Sequence, residues 1–257
     1  KPVLVRYGIW LGDFFQGDMG VSTRTNTPVS KVIGERVGAS LLLSVSGLVF
    51  CLLISLPLGI LSAYKEGSVW DKLGSAVAFL GSSLPGFFIS LLMIYVFAAK
   101  LGVLPATGMY SATGSHSLGD LLAHMIMPTF VLGFTMCGEF IKQIKGSMLE
   151  VLGDEHVKTA RSKGLRERVV VMKHVFRNSL IPLITLISLT VPFLLGGAVV
   201  TEQVFGWPGL GSLRVLSINS RDYNAIMGVT VFIAAGVLIC NVILDLVYAK
   251  LDPRIRN

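Results

Sequence analysis

Charge is scarce in this sequence and is missing altogether from long stretches. Only 14% of the 257 residues are Asp, Glu, Lys or Arg, where an ordinary soluble domain carries about 25%. Val37 to Tyr64, Leu73 to Ala99, Asn178 to Thr201 and Tyr223 to Leu244 contain none. That pattern excludes an ordinary soluble globule. Cysteine is scarce as well. Cys51, Cys137 and Cys240 all fall in apolar runs and form no CxxC pair, so they read as small buried hydrophobes rather than metal ligands or a disulfide framework. The four histidines, His116, His124, His156 and His174, form no cluster. A membrane enzyme would need such a cluster, or grouped acids, for metal or acid–base work. There is no Gly-x-x-x-x-Gly-Lys-[Ser/Thr] loop, so the chain does not bind ATP by that route. No internal repeat is visible, which argues against a secondary transporter built from inverted halves.

What is present is a set of long apolar segments separated by basic loops. A bilayer core needs about 20 mostly apolar residues in a helix. Five runs meet that requirement, over residues 37–64, 73–99, 121–145, 178–201 and 223–248, the third carrying His124 and Glu139. They are too long for strands and predict an all-α, polytopic membrane protein. Pro57, Pro85, Pro192 and several glycines interrupt them. Membrane helices tolerate such breaks because neighbouring helices satisfy the freed backbone groups.

The net charge of +7 does not point to nucleic acid, because the basic residues collect beside the apolar runs as they do on the inner face of a membrane protein. Residues 148–177 hold Lys158, Arg161, Lys163, Arg166, Arg168, Lys173 and Arg177, whereas the segment 100–120 holds only Lys100. The positive-inside rule therefore assigns 148–177 to the cytoplasm. Alternation assigns residues 65–72 and the tail 249–257 to the same side, and residues 1–36 to the outside. An external segment that opens at Lys1 predicts a sixth spanning helix ahead of it in the intact protein. Within residues 1–36, Tyr7, Ile9, Trp10, Leu11, Phe14 and Phe15 form an aromatic patch suited to a membrane interface, and Gly17, Asp18, Gly20 and Ser22 read as a turn.

The cytoplasmic segment has helical periodicity. Asp154 suits an N-cap for a short helix through His156, Val157, Ala160 and Arg161, and Gly164 suits its stop. A second helix is expected over 165–176. Such a knob reads either as a dock for a soluble partner or as a basic loop against anionic lipid. Glu139 lies inside a predicted span, and Lys142 three residues on predicts a structural ion pair near the inner end. Asp245 is read the same way. Trp207-Pro208-Gly209 reads as a rigid external turn with an interfacial aromatic.

The run from His156 to Leu165 resembles the coupling-helix motif of ABC importer permeases, in which Glu-Ala-Ala is followed three residues later by Gly. Here Lys158-Thr159-Ala160 stands in the first three places and Gly164 keeps the last. Thr159-Ala160-Arg161-x-Lys163-Gly164-Leu165, followed by His174, Arg177, Asn178 and Pro182, is similar to the dipeptide/oligopeptide/nickel branch. So are Thr201-Glu202-x-Val204-Phe205-x-Trp207-Pro208-Gly209-Leu210-Gly211, Arg221-Asp222-Tyr223, Ser147 to Leu152, Asp252-Pro253-Arg254, and Gly17-Asp18-x-Gly20-x-Ser22. The resemblance covers nearly the whole chain in order.

That resemblance implies the type I ABC importer transmembrane fold in a bacterial inner membrane. It implies a second homologous permease, two cytoplasmic ATPases that bind ATP and Mg, and an external solute-binding protein. This chain would carry no catalytic, cofactor or metal residues. Asp154, Glu155, His156, Val157, Lys158, Ala160, Arg161, Lys163, Gly164 and Leu165 would contact the ATPase. Glu202, Phe205, Trp207, Pro208, Gly209 and Gly211 would form an external loop or gate. Di- and oligopeptides are the expected cargo, with nickel or a metal chelate as the alternative within the family and a secondary transporter as a distant one.

Overall fold

The computed structural model describes residues 2–112 and 116–251, with the side chains of 245 and 247–251 left aside. Among these residues the chain is helical, with one isolated bridge between Val21 and Pro28. The tail residues Asp252, Pro253 and Arg254, and the Asp245 side chain, lie outside this description.

Three helices are long and apolar enough to cross a bilayer, or up to five if each of two bent pairs is one span. α1 is Val3–Phe15 and α2 is Val29–Tyr64. The 36 residues of α2 give a length of about 54 Å at 1.5 Å per residue. That exceeds a hydrocarbon core of about 30 Å, so its first turns, with Lys31, Glu35 and Arg36, project past the apolar run. The expected second span is not one straight helix. α3 (Val69–Ser83) and α4 (Gly86–Met93, continued with π-helical winding through Lys100) meet at 101°. Pro85 causes the break: it disfavours helical backbone in the residue before it, and Leu84 is extended at φ −88°, ψ 127°.

α5 (Leu118–Leu152) runs unbroken through Pro128 and past the expected end of the third span. α6 is Glu155–Ser162, and α7 is Glu167–Val169, wound on as a π-helix to Phe176. α7 meets α8 (Leu180–Leu195) at 49°. The fourth apolar run is expected to stay helical to residue 201, but α8 stops at Leu195. Gly197 takes the left-handed φ of +89°, a conformation open to glycine without penalty, and the short α9 (Val199–Val204) starts in a new direction. α10 (Leu210–Asn219) and α11 (Tyr223–Leu251) complete the chain.

Small residues set the spacing of the central helices. A Cβ on Gly133 of α5 would lie 2.6 Å from the carbonyl oxygen of Gly47 on α2. A Cβ on Gly81 of α3 would lie 2.5 Å from the Phe134 carbonyl on α5. Backbones this close gain dispersion contacts, which drive helix association where lipid removes the hydrophobic difference.

The largest apolar cluster begins at Cys51 on α2 and runs along α5 through Phe140, Ile144 and Met148. It then continues into Val157 and Ala160 of α6, Val170 and Val175, and Leu183 and Leu186 of α8. The short helix α6 is thus packed onto the end of the spanning bundle where α5 finishes and α8 begins.

Candidate functional site

The first candidate site is α6. Val157 is 0% exposed and Ala160 is buried, so both anchor the helix to its own chain. The apolar pair at i and i+3 marks one face of a short amphipathic helix. On the rest of its surface Glu155, His156, Lys158, Arg161 and Lys163 are exposed, as are Gly164 and Leu165 beyond its end. Asp154 occupies the N-cap place with extended backbone, but its carboxylate makes no capping hydrogen bond. It faces His156 instead, with a carboxylate oxygen 3.6 Å from Nδ1. Gly164 ends the helix at φ +73°, the left-handed conformation expected of a C-terminal stop.

Arg161 has a partner inside the chain. Its Nη2 and Nε donate to the two carboxylate oxygens of Glu167 at 2.8 and 3.3 Å, closing the turn around Gly164. The Glu167 hydrogen bonds push the guanidinium pKa up, against the opposing effect of burial. Asn178, at the entry to α8, lies 3.1 Å from His156 Nε2 and donates to the His174 carbonyl. α6, α7 and the start of α8 are therefore linked by polar contacts as well as by the core.

The expected pair of Glu139 with Lys142 does not form. Both side chains are exposed and line an open polar pocket with Gln143, Ser147 and Glu150, where water can solvate each separately. The ion pair on this stretch of α5 is Lys145 with Asp71, at 2.6 Å, and it crosses from α5 to α3. Sequence spacing carries no signal for it, because the partners are 74 positions apart.

The second candidate site is built around Glu202 on α9, which is 0% exposed. One carboxylate oxygen accepts the Ser40 hydroxyl of α2 at 2.7 Å, and the other accepts the Ser212 backbone N–H at 2.7 Å. Ser212 lies in the first turn of α10, where unpaired N–H groups and the helix dipole favour a carboxylate. Ser40 also accepts the Leu210 N–H at 2.7 Å. Gly209 and Gly211 are required for this approach: a Cβ on Gly209 would collide with the Glu202 carboxylate, and one on Gly211 would lie 2.9 Å from Val199. Phe205 is buried, and its carbonyl accepts the Gly108 N–H at 2.8 Å. Pro208 is half-buried at the rim of a polar pocket with Arg36 and Gln203.

Trp207 corrects an expectation. It is 0% exposed rather than interfacial, and its Nε1 donates to the Ala39 carbonyl at 2.8 Å. The indole packs with Leu43 and Met125, so its apolar body and its single donor are both satisfied inside the chain. Ser40 is the residue that sequence reading missed. It sits in a charge-free run with nothing to separate it from its neighbours.

A second clasp joins the N-terminal segment to α11. Asp222 accepts the Ser22 hydroxyl and the Arg24 and Ala225 N–H groups. Burial works against its ionisation, but these donors outweigh it and hold the carboxyl below its ordinary value. Gly17 and Gly20 form the expected turn at φ +86° and +80°, with Asp18 accepting the Gly20 N–H at 2.8 Å.

Comparison with known proteins fits this architecture. The chain is 40% identical over 255 residues to the oligopeptide transport system permease protein AppB of Bacillus subtilis, covering 99% of this chain and 81% of that one. It is 32% identical over 278 aligned residues to the dipeptide transport system permease protein DppB of Escherichia coli K12, covering 100% of this chain and 82% of that one. A chain of the inward-facing MetNI methionine ABC transporter has the same fold, with a TM-score of 0.67 at 18% identity, over 86% of this chain and 96% of that one. Residues 55–257 match the model of a single family. This chain, a multi-pass membrane protein with the type I ABC importer transmembrane fold, belongs to the binding-protein-dependent transport system inner membrane component family.

Proposed function

We propose that this chain is one permease subunit of an ATP-driven importer of di- and oligopeptides. It forms half of the translocation pathway with a second homologous permease. An external binding protein delivers the peptide. Two cytoplasmic ATPases, which hold the ATP and Mg, supply the energy, and this chain carries no ATPase site of its own. The C-terminus and α6 lie on the cytoplasmic side.

The observation that carries this reading is the construction of α6. Its buried pair, Val157 and Ala160, belongs to the same apolar cluster as the spanning helices α2, α5 and α8. Force applied to its exposed face is transmitted directly to the bundle, because close-packed interiors shift as units rather than deforming continuously. The exposed residues Glu155, His156, Lys158, Lys163, Gly164 and Leu165 are the proposed ATPase contacts, while Arg161 shapes the following turn. Glu202, Phe205, Trp207, Pro208, Gly209 and Gly211 form the proposed outer gate, held shut on α2. The peptide assignment rests on the relatives, which carry peptide in their names. Nothing favours nickel or a metal chelate.

The test is affinity purification of the tagged chain from its native membranes, with the co-purifying proteins identified by mass spectrometry. A P-loop ATPase and a second permease are expected. A lone chain that moves peptide in liposomes without ATP overturns the proposal.

A further inference from the structure

An open cavity of about 860 Å³, within the range of about 300–1,000 Å³ typical of small-molecule sites, is lined by residues of α3, α4, α5, α8, α9, α10 and α11. Its walls are mostly small or apolar. Arg214 of α10 is its one ionisable lining residue. The Arg214 side chain is exposed and makes no ion pair among the described residues, unlike Arg161, which is paired within the chain.

Two hydroxyls in the walls have the opposite character. The Ser82 hydroxyl donates to the Ala78 carbonyl at 2.9 Å, and the Thr135 hydroxyl donates to the Leu132 carbonyl at 2.9 Å. Each hydroxyl has spent its one proton within its own helix, so what remains toward the cavity is oxygen lone pairs. α8 also ends at this wall, at Gly196 and Gly197, with its C-terminal carbonyls and the negative end of its dipole. The cavity therefore offers one cationic fork and several acceptors, beside the backbone amides where α4 and α9 begin, with no carboxylate among its lining residues to neutralise the fork.

We propose that Arg214 is a substrate-contacting residue that receives the C-terminal carboxylate of a peptide in transit, while the acceptors of α3, α5 and α8 face its amide N–H groups and amino terminus. A guanidinium matches a carboxylate with two parallel N–H···O bonds, which gives direction as well as strength. The assignment rests on the peptide reading above and adds to it a preference: free carboxylates are carried better than blocked ones. The binding protein selects cargo before it reaches this cavity, so the contribution of Arg214 must be read as a ratio in which that selection cancels.

The experiment uses the complete complex with its binding protein in proteoliposomes. Uptake is measured for two mixtures of random di- to pentapeptides, one with free C-termini and one C-terminally amidated, in wild type and in R214Q. The R214Q-to-wild-type ratio is expected to be about tenfold lower for the free-carboxylate mixture than for the amidated one, the scale of one lost charge-assisted pair. R214K, which keeps the charge but not the fork, is expected to fall between, and it serves as the probe if R214Q does not assemble. Equal ratios for the two mixtures overturn the assignment while leaving the peptide reading intact. A wild-type complex that hydrolyses ATP but takes up neither mixture overturns both.

Discussion

Glu202 and Ser40 are 162 positions apart in the chain, yet the Ser40 hydroxyl donates to the Glu202 carboxylate at 2.7 Å inside the protein. This bond, with the Ser40-to-Leu210 contact beside it, fixes the segment from α9 to α10 against the long helix α2. A buried carboxylate oxygen without its donor costs about 1–3 kcal/mol. Ser40→Ala is therefore expected to lower the thermal stability of the purified protein in detergent by that order. Glu202→Gln keeps one acceptor oxygen but sets an NH2 donor against the other donor, the Ser212 N–H or the Ser40 hydroxyl, and is expected to destabilise comparably. Unchanged melting for both variants would mean that the clasp does not hold the segment.

Gly164 gives a cleaner separation of folding from coupling. A Cβ there would meet nothing within 4 Å, so the cost of a side chain comes only from φ +73°, about 1–2 kcal/mol for a residue with a Cβ. Gly164→Val should leave the spanning bundle intact and shift the end of α6. Peptide uptake per ATP hydrolysed is expected to fall severalfold in the reconstituted complex. A variant with normal coupling would sink the assignment of this turn to the ATPase interface.

Lys158 on α6 and Lys163 just past its end are exposed, whereas Arg161 already holds Glu167. If α6 docks on an ATPase with acids opposite, the two lysines supply the steering charge. The double substitution Lys158→Glu, Lys163→Glu is expected to weaken ATPase binding to the permease, and to do so less at 0.5 M salt, because screening removes exposed charge effects. Binding that is unaffected at low salt would point to the apolar rim at Leu165 instead.

The spanning helices are legible in the sequence because desolvating a charge in lipid is so costly that membrane segments stay charge-free over lengths that soluble helices seldom reach. Gly164 is legible too, since a helix stop needs a residue that tolerates positive φ. The broken second span is less so: Pro85 and Gly86 are visible as interruptions, but the 101° turn depends on how α3 and α4 pack on α5. Long-range polar pairs are invisible. Lys145 finds Asp71 rather than Glu139, and Ser40 finds Glu202, because tertiary packing and not local spacing brings them together. Trp207 shows the same limit in reverse. Its position in a turn before α10 suggests an interfacial ring, and the pocket that buries it is assembled from α2 and α5.

The Asp222 clasp makes a prediction about pH. Its carboxyl is held below the ordinary value of 3.8 by Ser22 and nearby N–H groups, despite burial. A group whose folded pKa is depressed adds stability above its unfolded pKa, and that stability is lost as pH falls through the folded value. The contribution should therefore be complete at neutral pH, begin to fall below about pH 3.8, and vanish only once the pH is under the lower folded value. The amides of Ser22 and Val29, bonded to the Thr27 and Gly20 carbonyls, report on this segment through hydrogen exchange. Corrected for intrinsic exchange, their protection is expected to be strong at pH 7 and to weaken at pH 3. In Asp222→Asn it should start lower and stay flat across the same range. If wild-type protection does not change with pH, the N-terminal segment is held by its backbone pairing alone and the carboxylate is incidental. If the Asn variant keeps full protection at pH 7, the hydrogen bonds matter but the charge does not, since Asn can still accept from Ser22 while carrying none.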